Sequence, residues 1–324
     1  MHIAFARPTL DETGAGGGTD YLNGLIPALL ALGHKVDVSE SASKEFPAGA
    51  VPVVDGMLLP RMAERLEELA ARDAVALIHH VGAAAGRDEA ARPEVEAAER
   101  AMLPRFRRII ATSAPVASRL HSEFEVPAQA VPPGIGELPR TAPQAGDPAV
   151  LAVGVLTRRK GHDILVRAMS RLVDLPWTLT VAGDAGREPA FAAELAANIE
   201  ELGLARRITL LADPDPQALQ REWERASVFA LATRWEGYAA SVAEALRRGI
   251  PVVVTDGGAA GELVPPDAGA VCSVDDPATF SKCLRRLLFD RALRTDMAEA
   301  AWRAGQDLPG WQIQAQAFAA ILRS

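Results

Sequence analysis

Glu236 and Glu244 stand eight positions apart in residues 234–255, RWEGYAASVAEALRRGIPVVVT, where they bracket a turn into a helix that closes at Gly249 and leads into a buried strand. If that segment is helical throughout, the two carboxylates are separated by about 12 Å along the axis, at roughly 1.5 Å per residue. This spacing suits the two ends of a sugar nucleotide. One carboxylate accepts hydrogen bonds from sugar hydroxyls and the other from ribose hydroxyls, while backbone N–H groups near the helix start face the diphosphate between them. Taken alone, the spacing also fits a solvated surface helix with two ordinary glutamates.

A basic cluster narrows the choice. In AVLAVGVLTRRKGHDILVRA, Arg158, Arg159 and Lys160 follow a strand and precede a helix, at the carboxyl edge of the sheet. A departing diphosphate gains negative charge as a sugar–phosphate bond breaks, so a preorganised cation there lowers the barrier. An isolated RRK would be an exposed basic loop. In the first half, LIHHVG sets His79 and His80 at a strand end, where alternation turns one of them inward. The Gly16–Gly18 run permits close backbone approach to a ligand, and Thr19 and Asp20 stand where helix caps do.

These groups need a scaffold, and the chain is long enough for two domains. It has 324 residues, 49% hydrophobic and 23% charged, which predicts a globular protein rather than a disordered or fibrous one. A net charge of -8 and an aromatic content of 5% argue against nucleic acid as a partner. Cys272 and Cys283 are too few for a disulfide scaffold. MHIAFARPTL lacks the pattern of a signal segment, and no window reaches eighteen consecutive apolar residues. The expectation is a cytoplasmic protein with no stable membrane association.

Apolar runs at residues 2–6, 35–39, 51–54, 75–80 and 109–112 alternate with helical patterns such as RMAERLEELAARD and RPEVEAAERAMLPRF. Residues 137–147, ELPRTAPQAGD, have linker composition. Beyond them the alternation restarts with AVLAVG, HDILVRAMSRL, WTLTVAG, FAAELAANIEELG, RITLLA, SVFALA and IPVVVT. The pattern predicts an α/β protein of two doubly wound, Rossmann-like domains, residues 1–140 and 148–310, with the site in the cleft between them. The amphipathic segment 311–324 is expected to pack back on the first domain.

In combination and order, these motifs resemble family 4 of the retaining nucleotide-sugar glycosyltransferases, which have the GT-B fold, over nearly the whole chain. EGYAASVAE is similar to the family's E-x7-E signature, RRKGHD to its K-G pair, AVPPGIG to its interdomain turn, and GIPVVVTDGGAAGELV to the stretch that follows the signature. The resemblance implies that Glu236 contacts the donor sugar, that the amides of Gly237, Tyr238, Ala239 and Ala240 meet its hydroxyls or phosphate, and that Glu244 holds the ribose. Lys160 would hold the diphosphate. Where many members carry Arg after the strand's glycine this chain has Val155, which leaves Arg158 or Arg159 to supply a second cation. Ala239 replaces a second glycine of the signature.

By the same resemblance His80, Lys160 and Glu236 form the catalytic set, Gly17 and Gly18 approach the donor, and Thr19, His79 and His80 face the acceptor. His80 is favoured over His79 for the inward position. The implied partners are a nucleoside-diphosphate sugar of the UDP-glucose or GDP-mannose type and a small soluble acceptor, with no cofactor and no metal. The compact first domain looks like that of short members that include pteridine glucosyltransferases, although HHVGAAAGR carries Ala85 where that group has an acidic residue. A non-catalytic nucleotide-sugar-binding protein is one rival. An NAD-dependent Rossmann enzyme is another, suggested by GAGGGT with Glu40 beyond it, but seven residues separate the strand from the first glycine. In DPD, Asp213 and Asp215 are flanked by Pro214 and Pro216, which predicts that Asp215 is a helix cap and not a metal ligand.

Overall fold

A computed structural model describes residues 1–9, 17–42, 44–82, 92–142 and 146–324, without the side chains of residues 17–20 and 92. The chain divides into two compact units, Met1–Gly136 with Pro309–Ser324, and Glu137–Leu308.

The first unit is built on a parallel six-stranded sheet: β1 (His2–Ala6), β2 (Lys35–Ser39), β3 (Val51–Asp55), β4 (Val75–Ile78), β5 (Arg108–Ala111) and β6 (Gln129–Ala130), in the order β2-β1-β3-β4-β5-β6. Its central strands are continuous apolar runs because helices cover both faces. These helices are α1 (Gly17–Ala31), α2 (Leu66–Ala71), α3 (Arg92–Met102) and α4 (Ala114–Phe124). The helix expected from RMAERLEELAARD is shared between a 3-10 segment, Gly56–Arg65, which contains Pro60, and the short α2. The core gathers Ile3, Phe5, Leu25, Val53, Leu77 and Ile110.

The C-terminal helix of the chain, Trp311–Ile321, completes this core. It supplies Ala315, Phe318 and Ala319, and the Phe318 ring lies 6.0 Å from that of Phe5. Burying one such side chain contributes about 1.5–3 kcal/mol. Gly24 of α1 lets Trp311 in, since a Cβ there would sit 2.0 Å from the indole Cε2. Ile135 N–H donates to Pro309 O at 3.0 Å, and Arg108 Nη1 donates to Leu322 O at 2.6 Å.

In the second unit β7 (Ala149–Val153), β8 (Thr178–Gly183), β9 (Ile208–Ala212), β10 (Val228–Leu231), β11 (Val252–Thr255) and β12 (Gly269–Cys272) form another parallel sheet, ordered β12-β11-β10-β7-β8-β9. The helices are α5 (His162–Met169), α6 (Pro189–Glu201), α7 (Pro216–Arg225), α8 (Ala240–Arg247), α9 (Pro277–Phe289) and α10 (Arg291–Asp307), which makes the C-terminal helix α11. Side-chain caps fix several starts. Asp215 Oδ1 accepts from Ala218 N–H at 2.7 Å, with Pro216 behind it, a cap that contributes about 1 kcal/mol. The division between units falls after Gly136 rather than near residue 140. Thr141 N–H donates to Arg248 O at 2.9 Å and its hydroxyl to Trp223 O at 3.1 Å, so that part of the linker-like segment is fastened to the second unit. Among the described residues, no helix is long and apolar enough to cross a membrane.

Candidate active site

The loops that follow β7 and β10 bring distant residues together. After β7 the chain passes Gly154 and Val155 and makes a 3-10 turn, Arg158–Lys160. The turn ends at Gly161, whose φ of +65° suits glycine and whose Cβ would fall 1.8 Å from Ala232 O, just past β10. This close approach seats the basic turn against the β10 loop. Arg234 N–H donates to Arg159 O at 2.8 Å, and Arg159 Nη1 donates to Trp235 O at 2.7 Å.

Glu236 is the focus of the cluster. Its Oε1 lies 2.6 Å from Lys160 Nζ, 3.4 Å from Arg159 Nη1 and 3.1 Å from the Thr233 hydroxyl, and the carboxylate is almost wholly buried. A turn at Gly257 and Gly258 holds its backbone: Glu236 N–H donates to Gly257 O at 3.0 Å, and Ala259 N–H donates to Glu236 O at 2.9 Å. Gly258 has φ +70°, and a Cβ there would lie 2.2 Å from Glu236 O. Gly154 leaves room for the Lys160 stem, which a Cβ would meet at 3.0 Å.

Burial alone would push the Glu236 carboxyl up, but Lys160, Arg159 and the hydrogen bonds outweigh it and hold it below the usual carboxylate range. Burial draws the Lys160 ammonium down, with Arg159 adding to the effect and Glu236 opposing it. The short contact between them is that of an ionic pair. Beneath the turn, burial and then the charge of Lys160 pull His162 down to about 4, so it is neutral and its Nε2 donates to Val155 O at 3.2 Å.

The two arginines beside Lys160 part ways. Arg159 reaches Glu236, whereas Arg158 is exposed, pairs with Glu194 and lies 5.3 Å from the Phe191 ring centroid. Nor is the E-x7-E segment helical throughout. α8 begins only at Ala240, so the axial estimate of about 12 Å applies to no more than its second half. Ala240 N–H donates to Tyr238 O at 3.1 Å and is already engaged. Among the described residues, the N–H groups of Gly237, Tyr238 and Ala239 have no protein acceptor. Ala239 has φ −86°, an ordinary value for alanine, so nothing in this backbone calls for glycine there. Burial pushes the Tyr238 phenol up to about 12. Glu244 accepts from Arg248 at 2.8 Å and 3.0 Å, both on Oε1, and burial raises its pKa against the pull of that arginine.

Of the adjacent histidines His79 and His80 in the first unit, His79 is the buried one. Its Nε2 is 3.1 Å from Asp55 Oδ2, and the Tyr21 ring meets it edge-on with centroids 5.6 Å apart. Asp55 also caps the 3-10 segment through Met57 N–H at 3.0 Å. His80 is half-buried. Gly17, Gly18 and Thr19 are the first residues of α1, while Gly16 and Ala85 lie outside the described residues. Glu40 pairs with Arg7 at 2.7 Å.

Sequence reasoning passed over Thr233, Asp55, and the pair Arg234–Asp163, joined by contacts of 2.9 Å and 3.0 Å, with Asp275 also 3.0 Å from Arg234. The signal for Arg234 was its place immediately before the WEG turn. Asp163 carried none beyond following the K-G pair. Among the described residues, no group of three or more His, Cys, Asp or Glu side chains converges as metal ligands do.

Comparison with known proteins places this geometry. Sucrose-phosphate synthase (tll1590) from Thermosynechococcus elongatus superposes with a TM-score of 0.84 at 20% identity, over 99% of this chain and 98% of that one. Anabaena Alr3699/HepE in complex with UDP-glucose gives 0.78 at 18% identity, over 100% and 99%. The two Rossmann-like units are thus those of the GT-B fold. The lipopolysaccharide core biosynthesis mannosyltransferase LpcC of Rhizobium leguminosarum bv. viciae is 29% identical over 239 residues, 69% of this chain. The match spans 66% of that relative's length. The family model described as glycosyl transferases group 1 matches residues 137–303, a stretch that contains Lys160, Glu236 and Glu244. With more than half of its length inside that match, the chain belongs to the group 1 family of glycosyl transferases.

Proposed function

We propose that this chain transfers a hexose from a nucleoside-diphosphate sugar, of the UDP-glucose or GDP-mannose type, to a small soluble acceptor, with retention at the anomeric carbon and without a metal ion. The observation that carries this reading is the meeting of Lys160 and Arg159 on Glu236 within the stretch that matches the family model. Two cations against one carboxylate leave a net positive charge where a leaving diphosphate would develop negative charge. All three close contacts of Glu236 are to Oε1, so Oε2 is the oxygen that a sugar hydroxyl approaches.

The N–H groups of Gly237, Tyr238 and Ala239 then meet phosphate or sugar oxygens near the start of α8, where the helix dipole favours an anion. Glu244 receives the ribose hydroxyls, with Arg248 fixing its carboxylate. Arg159, rather than Arg158, stands in for the arginine absent at Val155. Gly17 and Gly18 approach the donor, and Thr19, His79 and His80 the acceptor, with His80 nearest the reaction. The acceptor hydroxyl gives its proton to the leaving phosphate oxygen.

Calorimetric titration tests this reading, using UDP, GDP, ADP, UDP-glucose, GDP-mannose and NAD, first without metal and then with magnesium. Both sugars belong in the panel, since the HepE structure is a complex with UDP-glucose and LpcC is a mannosyltransferase. Micromolar, metal-independent binding of one nucleoside diphosphate and its sugar is expected, followed by turnover when soluble acceptors, a pteridine among them, are supplied. Binding of NAD alone, or of no nucleotide, overturns the proposal.

A further inference from the structure

The two cysteines were unremarkable in the sequence, and the fold puts them side by side. Cys272 ends β12 and Cys283 lies on α9, and the Cys272 S–H donates to Cys283 Sγ at 3.5 Å. The two differ in access. Cys272 is buried at 3% exposure, within the core formed by Phe280 and Leu284. Cys283 is half-buried and lines a cavity of about 400 Å³, together with Asp267, Arg286, Asp296, Met297 and Arg303. A disulfide has its sulfurs about 2.05 Å apart. The approach needed is therefore roughly 1.5 Å, within reach of side-chain rotation.

We propose that Cys272 and Cys283 are a reversible oxidation site that closes to a disulfide within the second unit. The oxidant is a hydroperoxide that reaches Cys283 through the cavity. Cys283 sulfur, as its thiolate, attacks the peroxide: an S–O bond forms, the O–O bond breaks, and the second oxygen leaves as water or an alcohol by taking up the proton that the Cys283 thiol released. The resulting sulfenic acid is attacked by Cys272 sulfur, so that the S–S bond forms, the S–O bond breaks and water departs with the Cys272 proton. The two thiols together lose two electrons and the peroxide gains them. The order of attack follows from access, and burial, which pushes the Cys272 thiol up to about 12, agrees with it.

The position is close to the turn that holds Glu236. Cys272 pairs in register with Thr255, Asp256 N–H donates to Cys272 O at 2.9 Å, and Gly257 follows directly with its carbonyl on Glu236 N–H. The chemistry of the two cysteines is independent of which nucleotide the chain binds.

The test exposes the folded, full-length chain to dilute hydrogen peroxide, traps remaining thiols with an alkylating agent, and maps the digest by mass spectrometry. The free-thiol count should fall from two to none, with one peptide pair linked through Cys272 and Cys283 and lighter by two hydrogens, and dithiothreitol should restore both thiols. In Cys283→Ser the buried Cys272 thiol should survive the same dose, and Cys272→Ala should carry Cys283 beyond the sulfenic acid for want of a partner. Persistence of both thiols in the wild-type chain, a disulfide between two chains, or a sulfinic acid at Cys283 beside a free Cys272 would overturn the proposal.

Discussion

In the first unit the sheet runs β2-β1-β3-β4-β5-β6 and reverses its order between β1 and β3, whereas in the second it runs β12-β11-β10-β7-β8-β9 and reverses between β7 and β10. Ligands of open parallel sheets gather beyond the carboxyl ends of the strands at such reversals. The residues found there differ in kind. Asp55 closes β3 and holds His79, which follows β4, with Tyr21 against the ring. Beyond β7 and β10, Lys160 and Arg159 converge on the single carboxylate of Glu236. One carboxylate with one imidazole suits a ligand of little charge, while two cations on one carboxylate suit an anion. Topology fixes where each site lies, and side-chain charge decides what kind of ligand it suits.

The largest break in this comparison comes from removing the shared carboxylate. Glu236→Ala leaves Lys160 and Arg159 together without their counter-ion, which should cost about 3–5 kcal/mol of stability in urea unfolding. Glu236→Gln keeps the shape and the Thr233 contact, so it separates folding from charge. It should fold and yet lose about 10²–10³ in turnover. Normal turnover in Glu236→Gln would remove Glu236 from the site.

Acid should strike the second unit through His162. Its folded pKa, about 4, lies below the ordinary value of 6.5, so the unfolded chain binds a proton that the native chain refuses. Stability from this group is complete above pH ~6.5 and is lost as pH falls toward about 4, roughly 3 kcal/mol in all. Four of the five tryptophans, Trp177, Trp223, Trp235 and Trp302, lie in this unit, so indole fluorescence follows its unfolding. His162→Gln should flatten the dependence between pH 6.5 and 4, and an unchanged slope would assign it to carboxylates instead.

Much of this architecture is legible in the sequence, because strands buried on both faces read as unbroken apolar runs. β1, β4, β7, β10 and β11 all announce themselves that way. β6 does not, being two exposed residues, and β12 does not, since GAVC is a half-exposed edge strand. At the site, the residue types were legible and their meeting was not. Lys160 and Glu236 lie far apart in the chain, and only the adjacency of β7 and β10 joins them. The choice between Arg158 and Arg159 was open as well, until the 3-10 turn ended by Gly161 sent one toward Glu194 and the other to Glu236. For His79 the partner was the obstacle: Asp55 stands just past the apolar run 51–54, and nothing in its spacing pointed to an imidazole.

Asp55→Ala sharpens the contrast from the other side. The substitution removes the cap on the 3-10 segment, about 1 kcal/mol, and leaves the buried His79 ring without its acceptor, about 1–3 kcal/mol more. Thermal unfolding should register this loss. Nucleotide affinity measured by calorimetry should not change, because the proposed nucleotide contacts, Lys160, Arg159 and Glu236, all belong to the second unit. A matching loss of nucleotide affinity would mean that the two clusters serve one ligand.

The smallest effect discriminates between neighbours in the basic turn. Arg158 and Glu194 are both exposed, and such a pair is worth about 0–1 kcal/mol, screened further by salt. Arg158→Ala should therefore leave both stability and nucleoside-diphosphate affinity within error. Arg159→Ala removes a guanidinium that touches Glu236 and the Trp235 carbonyl, and it should weaken that affinity about tenfold, a difference of roughly 1.4 kcal/mol. If the two variants exchange these outcomes, the turn presents its other arginine to the diphosphate. The cation that replaces the one missing at Val155 is then Arg158, and the ion pair with Glu194 must open for it to act.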